Sequence, residues 1–412
     1  MRGILTIATG DVFSKFLLVA INLMLIRSLS VHDYAHFTIL TTVAYLGYQM
    51  VCGPLERLYI AEHAKYKEHL TSIKNTLLLL CLLLSGIWLW KTSTALDIFL
   101  CWVGIIVLTH HQYLKIHFQK KEDFTVYSLM EICKNFGWLL LAAIPFIFKI
   151  QINEAYYFEA LIFSALVTIL IFGRVRQIFP LKIPEKGELF SSAIALKKAN
   201  FVIGYTLAGA AIPYYPVFVA VYTSEPYVTS LYGAASRYLA ILNMAAFAFN
   251  TVLLPQLASV NKVEECWSII KRLAKKLPIF IFCYLLVIVV VYLGMPFVDK
   301  GKYSELPIIF LLMSITPFLS LISAPFINIL LLNNGSRLIF LTMLSALVLS
   351  IAMIPLMNKV FPFQYIPAVG SIITYLLIAF ICIFGAINMK DIYSKNSDQS
   401  VNENVRDENS TY

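Results

Sequence analysis

Four basic residues lie inside long apolar runs of this sequence: Lys15, Arg57, Lys134 and Arg237. A Lys or Arg at mid-bilayer costs roughly 2.5–3.5 kcal/mol on insertion scales, so it faces either a hydrated cavity or a partner. Spacing leaves both uses open for three of them. Lys15 follows Asp11 by four residues and Lys134 follows Glu131 by three, and helical neighbours at those spacings can neutralise each other. Arg57 directly follows Glu56 near the end of its run, from where it can snorkel. Arg237 has no acidic residue within a helical turn and is the strongest candidate for a cation held in a cavity. Cations so placed bind anions, Arg through planar bidentate contacts and Lys as a point charge.

Each charge continues as a polar stripe at helical spacing. Asp11, Lys15, Leu18 and Asn22 share one face with Ser14 beside them; Thr42, Tyr45, Gln49, Cys52 and Glu56 share another; Tyr232, Ser236, Asn243 and Asn250 form a third. A single Asn in lipid more simply glues two helices. Three stripes ending near charges fit a water-filled, net cationic interior. Prolines interrupt the same runs: Pro213 and Pro216, Pro317 and Pro325, and Gly53-Pro54 just before Glu56 and Arg57. Each is either a static kink or, as in broken transporter helices, a hinge near a binding site, and Pro213 and Pro216 are the hinge candidates. Tyr214 and Tyr215 beside them either stack on sugars or fill space.

Covalent chemistry finds no support. The sequence lacks HExxH, GxSxG, a P-loop and a Gly-rich dinucleotide turn. His110, His111 and His117 have no carboxylate or cysteine partners at metal spacing and read as interfacial. The seven cysteines lie singly, mostly in apolar runs, and read as small buried residues. No cofactor is expected, and the chain is not expected to be an enzyme.

The elements that must position these residues follow from composition. Apolar residues make up 59% of 412 and charged residues 13%, too little charge to cover a soluble surface. Spans are placed at about 4–26, 37–61, 76–90, 96–114, 124–148, 155–173, 200–222, 231–256, 277–298, 306–332, 337–357 and 366–388. Backbone satisfaction in lipid makes each a helix. Asp11 and Lys15, without a small-residue cleavage site after them, mark the first run as a retained span.

Placing the N-terminus inside puts most basic residues in cytoplasmic segments, among them Lys65, Lys67, Lys74, Lys115, Lys120, Lys121, Lys271, Arg272, Lys275 and Lys276. Only Arg27, Lys91, Lys149, Lys300, Lys302 and Lys359 fall in outer loops. The net charge of +9 therefore reflects membrane orientation and not nucleic acid. The expected fold is an all-α polytopic membrane protein of about twelve helices in two six-helix bundles around a central cavity. The bundles cover 1–173 and 200–389, the basic stretch 174–199 links them, and 390–412 is a polar, disordered cytoplasmic tail.

The first helix running into LIRSLSVHDYAHFTILTTVAYLG resembles the polysaccharide flippases of the Wzx type. Arg27, Leu29, Ser30, Asp33 and Tyr34 stand in that family's Arg-x-Leu-Ser turn and acidic-Tyr element. Ala35 stands where the family usually has Gly. The run LYGAASRYLAILNMAAFAFNTVLLPQLASV, closing on Leu254-Pro255, is similar to the eighth helix of those proteins. The resemblance places the chain in a superfamily that includes the MATE multidrug exporters. It implies passage of an undecaprenyl-pyrophosphate-linked oligosaccharide, an O-antigen unit or related glycan, from the cytoplasmic to the periplasmic leaflet of a bacterial inner membrane. It also implies alternating access, both termini in the cytoplasm, and company with a glycan polymerase and chain-length proteins. Lys15, Arg57, Lys134 and Arg237 would meet the pyrophosphate and acidic sugars, and Asp11, Glu56 or Glu131 would titrate if transport is ion-coupled. Two other readings stand beside it: export of small cationic drugs, which favours cavity carboxylates, and a membrane-embedded glycan polymerase, which needs a sizeable outer loop.

Overall fold

The computed structural model describes residues 2–61, 69–90, 93–150, 152–173, 197, 199–222, 225–258, 263–333 and 335–409, with side chains except at 2–8, 11, 60–61, 244–258, 263–266 and 389–409. The first half holds α1 (Arg2–Ser28), α2 (Val31–Ala61), α3 (Leu70–Leu89), α4 (Ala95–Lys120), α5 (Phe124–Phe148) and α6 (Glu154–Phe172). The second holds α7 (Asn200–Ala211), a 3-10 turn (Ile212–Tyr214), α8 (Tyr215–Tyr222), α9 (Pro226–Ala258), α10 (Val263–Asp299), α11 (Leu306–Leu332), α12 (Ser336–Ala352), the one-turn α13 (Ile354–Met357) and α14 (Ile366–Asn409). Among the described residues, eight helices are long and apolar enough to cross a membrane.

Local chemistry fixes several ends. Thr94 and Asp97 form a capping box that starts α4, with the Thr94 hydroxyl accepting from Asp97 N (3.3 Å) and the Asp97 carboxylate from Thr94 N (2.9 Å). Asp123 and Asn153 cap α5 and α6 through Val126 N and Tyr156 N. His36 of α2 ties the starts of α4 and α6 together, its ring bonding Glu154 at 2.9 Å and facing Asp97 at 3.4 Å.

Packing divides the helices into two bundles with one plan. In the first, α1 packs on α5, α2 on α4, and α6 on α4 and α5; in the second, α7 packs on α12, α9 on α11, and α14 on α11 and α12. The first helix of each half lies on the fifth and the second on the fourth, the pattern of an internal repeat. The halves meet where α2 contacts α7 and α9, and where α1 contacts α9 and α10.

Several expectations change. Pro54, Pro317 and Pro325 do not interrupt their spans: α2 and α11 run through them. At Pro317 the reason is visible, because the Met313 carbonyl that proline cannot bond accepts the Thr316 hydroxyl at 2.8 Å. Lys74 and Lys115 are not loop residues but lie inside α3 and α4, each at most 5% exposed, because both helices extend past the apolar windows that define a span. His110 and His111 are buried, not interfacial, and bond Ile106 O and Met130 O. Helical backbone is described through Asn409. The linker 174–199 falls almost wholly outside the described residues, as does the Asp11 side chain.

Candidate functional site

A cavity of about 200 Å³ lies between the halves. Thr42 and Tyr45 of α2 form one wall. The opposite wall comes from Pro213, Tyr214 and Pro216 at the α7–α8 break, Ser236, Arg237 and Asn243 of α9, Thr316 of α11, and Ser371 and Tyr375 of α14. Its polar groups are hydroxyls and one amide, apart from the Arg237 guanidinium.

The break itself is a consequence of two prolines three residues apart. Neither can donate to the preceding turn, so α7 ends at Ala211 and the chain tightens for one 3-10 turn. Within that turn the Ile212 carbonyl, which Pro216 cannot bond, accepts Tyr215 N. The two tyrosines there part ways. Tyr214 turns into the cavity, whereas Tyr215 is buried behind it, packs against Gly370 and donates to Ser350 O at 3.3 Å.

Arg237 is held by α9 against the first half. Its Nη2 donates to the Thr41 hydroxyl at 3.0 Å, while its Nε is buried with no hydrogen-bond partner. The buried Tyr34 hydroxyl stands beside the guanidinium, within hydrogen-bonding reach of it. Among the described residues no carboxylate pairs with Arg237. An unneutralised guanidinium in a polar hollow is a receptor for a phosphate, carboxylate or sulfate.

The other predicted cations stand elsewhere. Lys134 bonds Glu131 at 2.5 Å, and Glu131 also takes Lys115 at 2.7 Å, giving a buried Lys–Glu–Lys triad between α4 and α5. Lys115 further lies over the Tyr127 ring at 4.6 Å. Lys15 is half-buried on α1, and Glu56 and Arg57 are half-buried near the far end of α2. None of these lines the cavity. Of the third stripe, Ser236 and Asn243 line the cavity, but Tyr232 is fully buried, donating to Gln364 O at 2.7 Å and accepting from Ala368 N at 3.0 Å.

Sequence reasoning missed Thr41, Thr316, Ser371 and Tyr375. Thr41 sits beside the α2 stripe that spacing does reveal, so its pairing with Arg237 needs only knowledge that α2 and α9 meet. The others are lone hydroxyls on apolar helices and carry no local signal.

No family profile matches the sequence, and no curated protein does. Solved structures do. The eukaryotic MATE transporter AtDTX14 is similar at TM-score 0.59 and 12% identity, with 94% of this chain and 95% of that chain covered. An inward-facing multidrug resistance MATE family transporter of the MOP superfamily is similar at 0.57 and 15%, covering 93% and 96%. The Vibrio cholerae MATE transporter VcmN is similar at 0.56 and 14%, covering 95% and 97%. The chain therefore has the fold of the MATE transporters: all-α, two six-helix bundles about a central cavity.

Proposed function

We propose that the chain is an alternating-access transporter that moves a lipid-linked anion through the Arg237 cavity, with no covalent step. The carrying observation is Arg237 itself, a cation lining the space between the halves without a carboxylate to neutralise it. The cargo implied by the flippase resemblance is an undecaprenyl-pyrophosphate-linked oligosaccharide, whose pyrophosphate suits a guanidinium. A second feature supports a lipid tether. An apolar groove of about 800 Å³ runs along the other side of the same α2–α8 seam, lined by Val43, Leu46, Met50, Trp88 and Phe218. The same resemblance implies outward movement across a bacterial inner membrane with a glycan polymerase downstream, and the distribution of basic residues supports cytoplasmic termini.

The likeness to multidrug exporters favours a second reading, export of small molecules, and on fold alone that reading is the better supported. Cationic drugs call for cavity carboxylates, and among the described residues none lines this cavity. Replacing Arg237 by Gln in cells separates the readings. Loss of surface glycan, with finished lipid-linked units retained on the inner leaflet and the protein still in the membrane, supports the anionic cargo. Normal display together with lost drug resistance overturns it.

A further inference from the structure

We propose that Lys302 is a latch that locks the two halves together at the end of the molecule carrying the α1–α2 and α10–α11 turns, and that this end opens only when Lys302 lets go. The Lys302 Nζ crosses the divide and donates to three carbonyls of the other half: Ile26 O at 3.2 Å, Arg27 O at 2.9 Å and Leu29 O at 2.7 Å. An ammonium has three protons, and all three are used. Ile26 and Arg27 belong to the last turn of α1, whose carbonyls have no partner within the helix and carry the negative end of its dipole. Lys302 is thus the C-terminal cap of a helix in the opposite bundle.

The turn that aims it is built for the purpose. Lys300 (φ 55) and Gly301 (φ 73) are both left-handed, and Asp299 Oδ1 accepts Gly301 N at 2.9 Å. Asp299 and Tyr303, on either side, are only 2% exposed, so the base of the turn is anchored. Burial pushes the Lys302 ammonium below the ordinary lysine range, with Lys300 adding to the effect, and the three carbonyls offset that loss of water.

Directly below the latch the halves are sealed on polar groups. Gly233 of α9 meets Thr38 of α2 so closely that a Cβ there would lie 2.3 Å from the Thr38 hydroxyl. Tyr34, Thr38, Tyr238 and Tyr303 place buried hydroxyls in the layer above Arg237, with Tyr34 beside its guanidinium and Tyr303 beside Ser230. Such hydroxyls can take up water when the halves part, and three exchangeable bonds from Lys302 to backbone oxygen hold the seal shut.

The test reads geometry and is independent of which cargo is moved. Spin labels are placed at the exposed His32 and Lys300, in a background stripped of reactive native cysteines, and the distance distribution is measured in Lys302→Met, Lys302→Gln and Lys302→Arg. Loss of the latch in Lys302→Met predicts a roughly tenfold rise in the ratio of long to short distances, with Lys302→Arg nearer the parent. Lys302→Gln, which keeps a neutral donor and serves if the Met variant fails to fold, is expected between them. A distribution in Lys302→Met or Lys302→Gln that superposes on the parent's overturns the latch, whatever the transport assay for Arg237 shows.

Discussion

A cation inside a bilayer protein is tolerable only when something takes up its charge, and Arg237 and Lys134 meet that demand in opposite ways. Lys134 shares Glu131 with Lys115, within a triad closed by contacts of 2.5 and 2.7 Å. Arg237 has only neutral hydroxyls beside it among the described residues, those of Thr41 and Tyr34, and an Nε without a partner. The first holds two helices together, and the second is the cation we propose as the cargo's anchor. Glu131→Gln should therefore leave two buried lysines facing a neutral amide and cost about 3–5 kcal/mol, read as a lower Tm in detergent. Replacing both lysines by Met together with Glu131→Gln should recover much of that loss. A triple variant no more stable than Glu131→Gln alone would mean that the cluster's charges are not what holds α4 to α5.

At the scale of elements, the α7–α8 break brings backbone irregularity to the cavity wall, where neighbouring hydroxyls and water can satisfy it. Converting Pro213 and Pro216 together to Ala should allow one continuous helix through 212–214 and remove Tyr214 from the wall. The expected result is a protein that folds and inserts but loses transport; unchanged transport would make the break a mere kink. The α2–α9 contact gives a second prediction. Gly233→Ala adds a methyl where only 2.3 Å separates a Cβ from Thr38, so the closed end should no longer shut fully, and labels across it should move apart. Gly233→Ala combined with Thr38→Ala should restore the parent distances, and failure of that rescue would argue against close packing as the seal.

For the whole molecule, the spans were legible because lipid demands long apolar helices, and α5, α7 with α8, and α11 begin and end where apolar runs do. The ends of α3 and α4 were not, since buried lysines such as Lys74 over the Tyr113 ring let helices continue beyond the apolar window. Arg237 was legible from the lack of an acidic neighbour on its own helix. Lys302 was not: its partners are backbone carbonyls some 270 residues earlier in the chain, and no residue type announces them. Which charges share a cavity is a property of helix packing, and only the α2–α9 contact shows that Arg237 and Tyr45 do. On our proposal this cavity passes an anionic, lipid-tethered head group. The most direct measurement places the purified chain in liposomes and follows how fast a polyprenyl-pyrophosphate-linked sugar becomes accessible to an impermeant enzyme. Transfer is expected for the parent chain, with a roughly 10- to 100-fold slower rate for Arg237→Gln and little change for Arg57→Gln, which lies off the cavity. Equal rates for the parent and Arg237→Gln would contradict it.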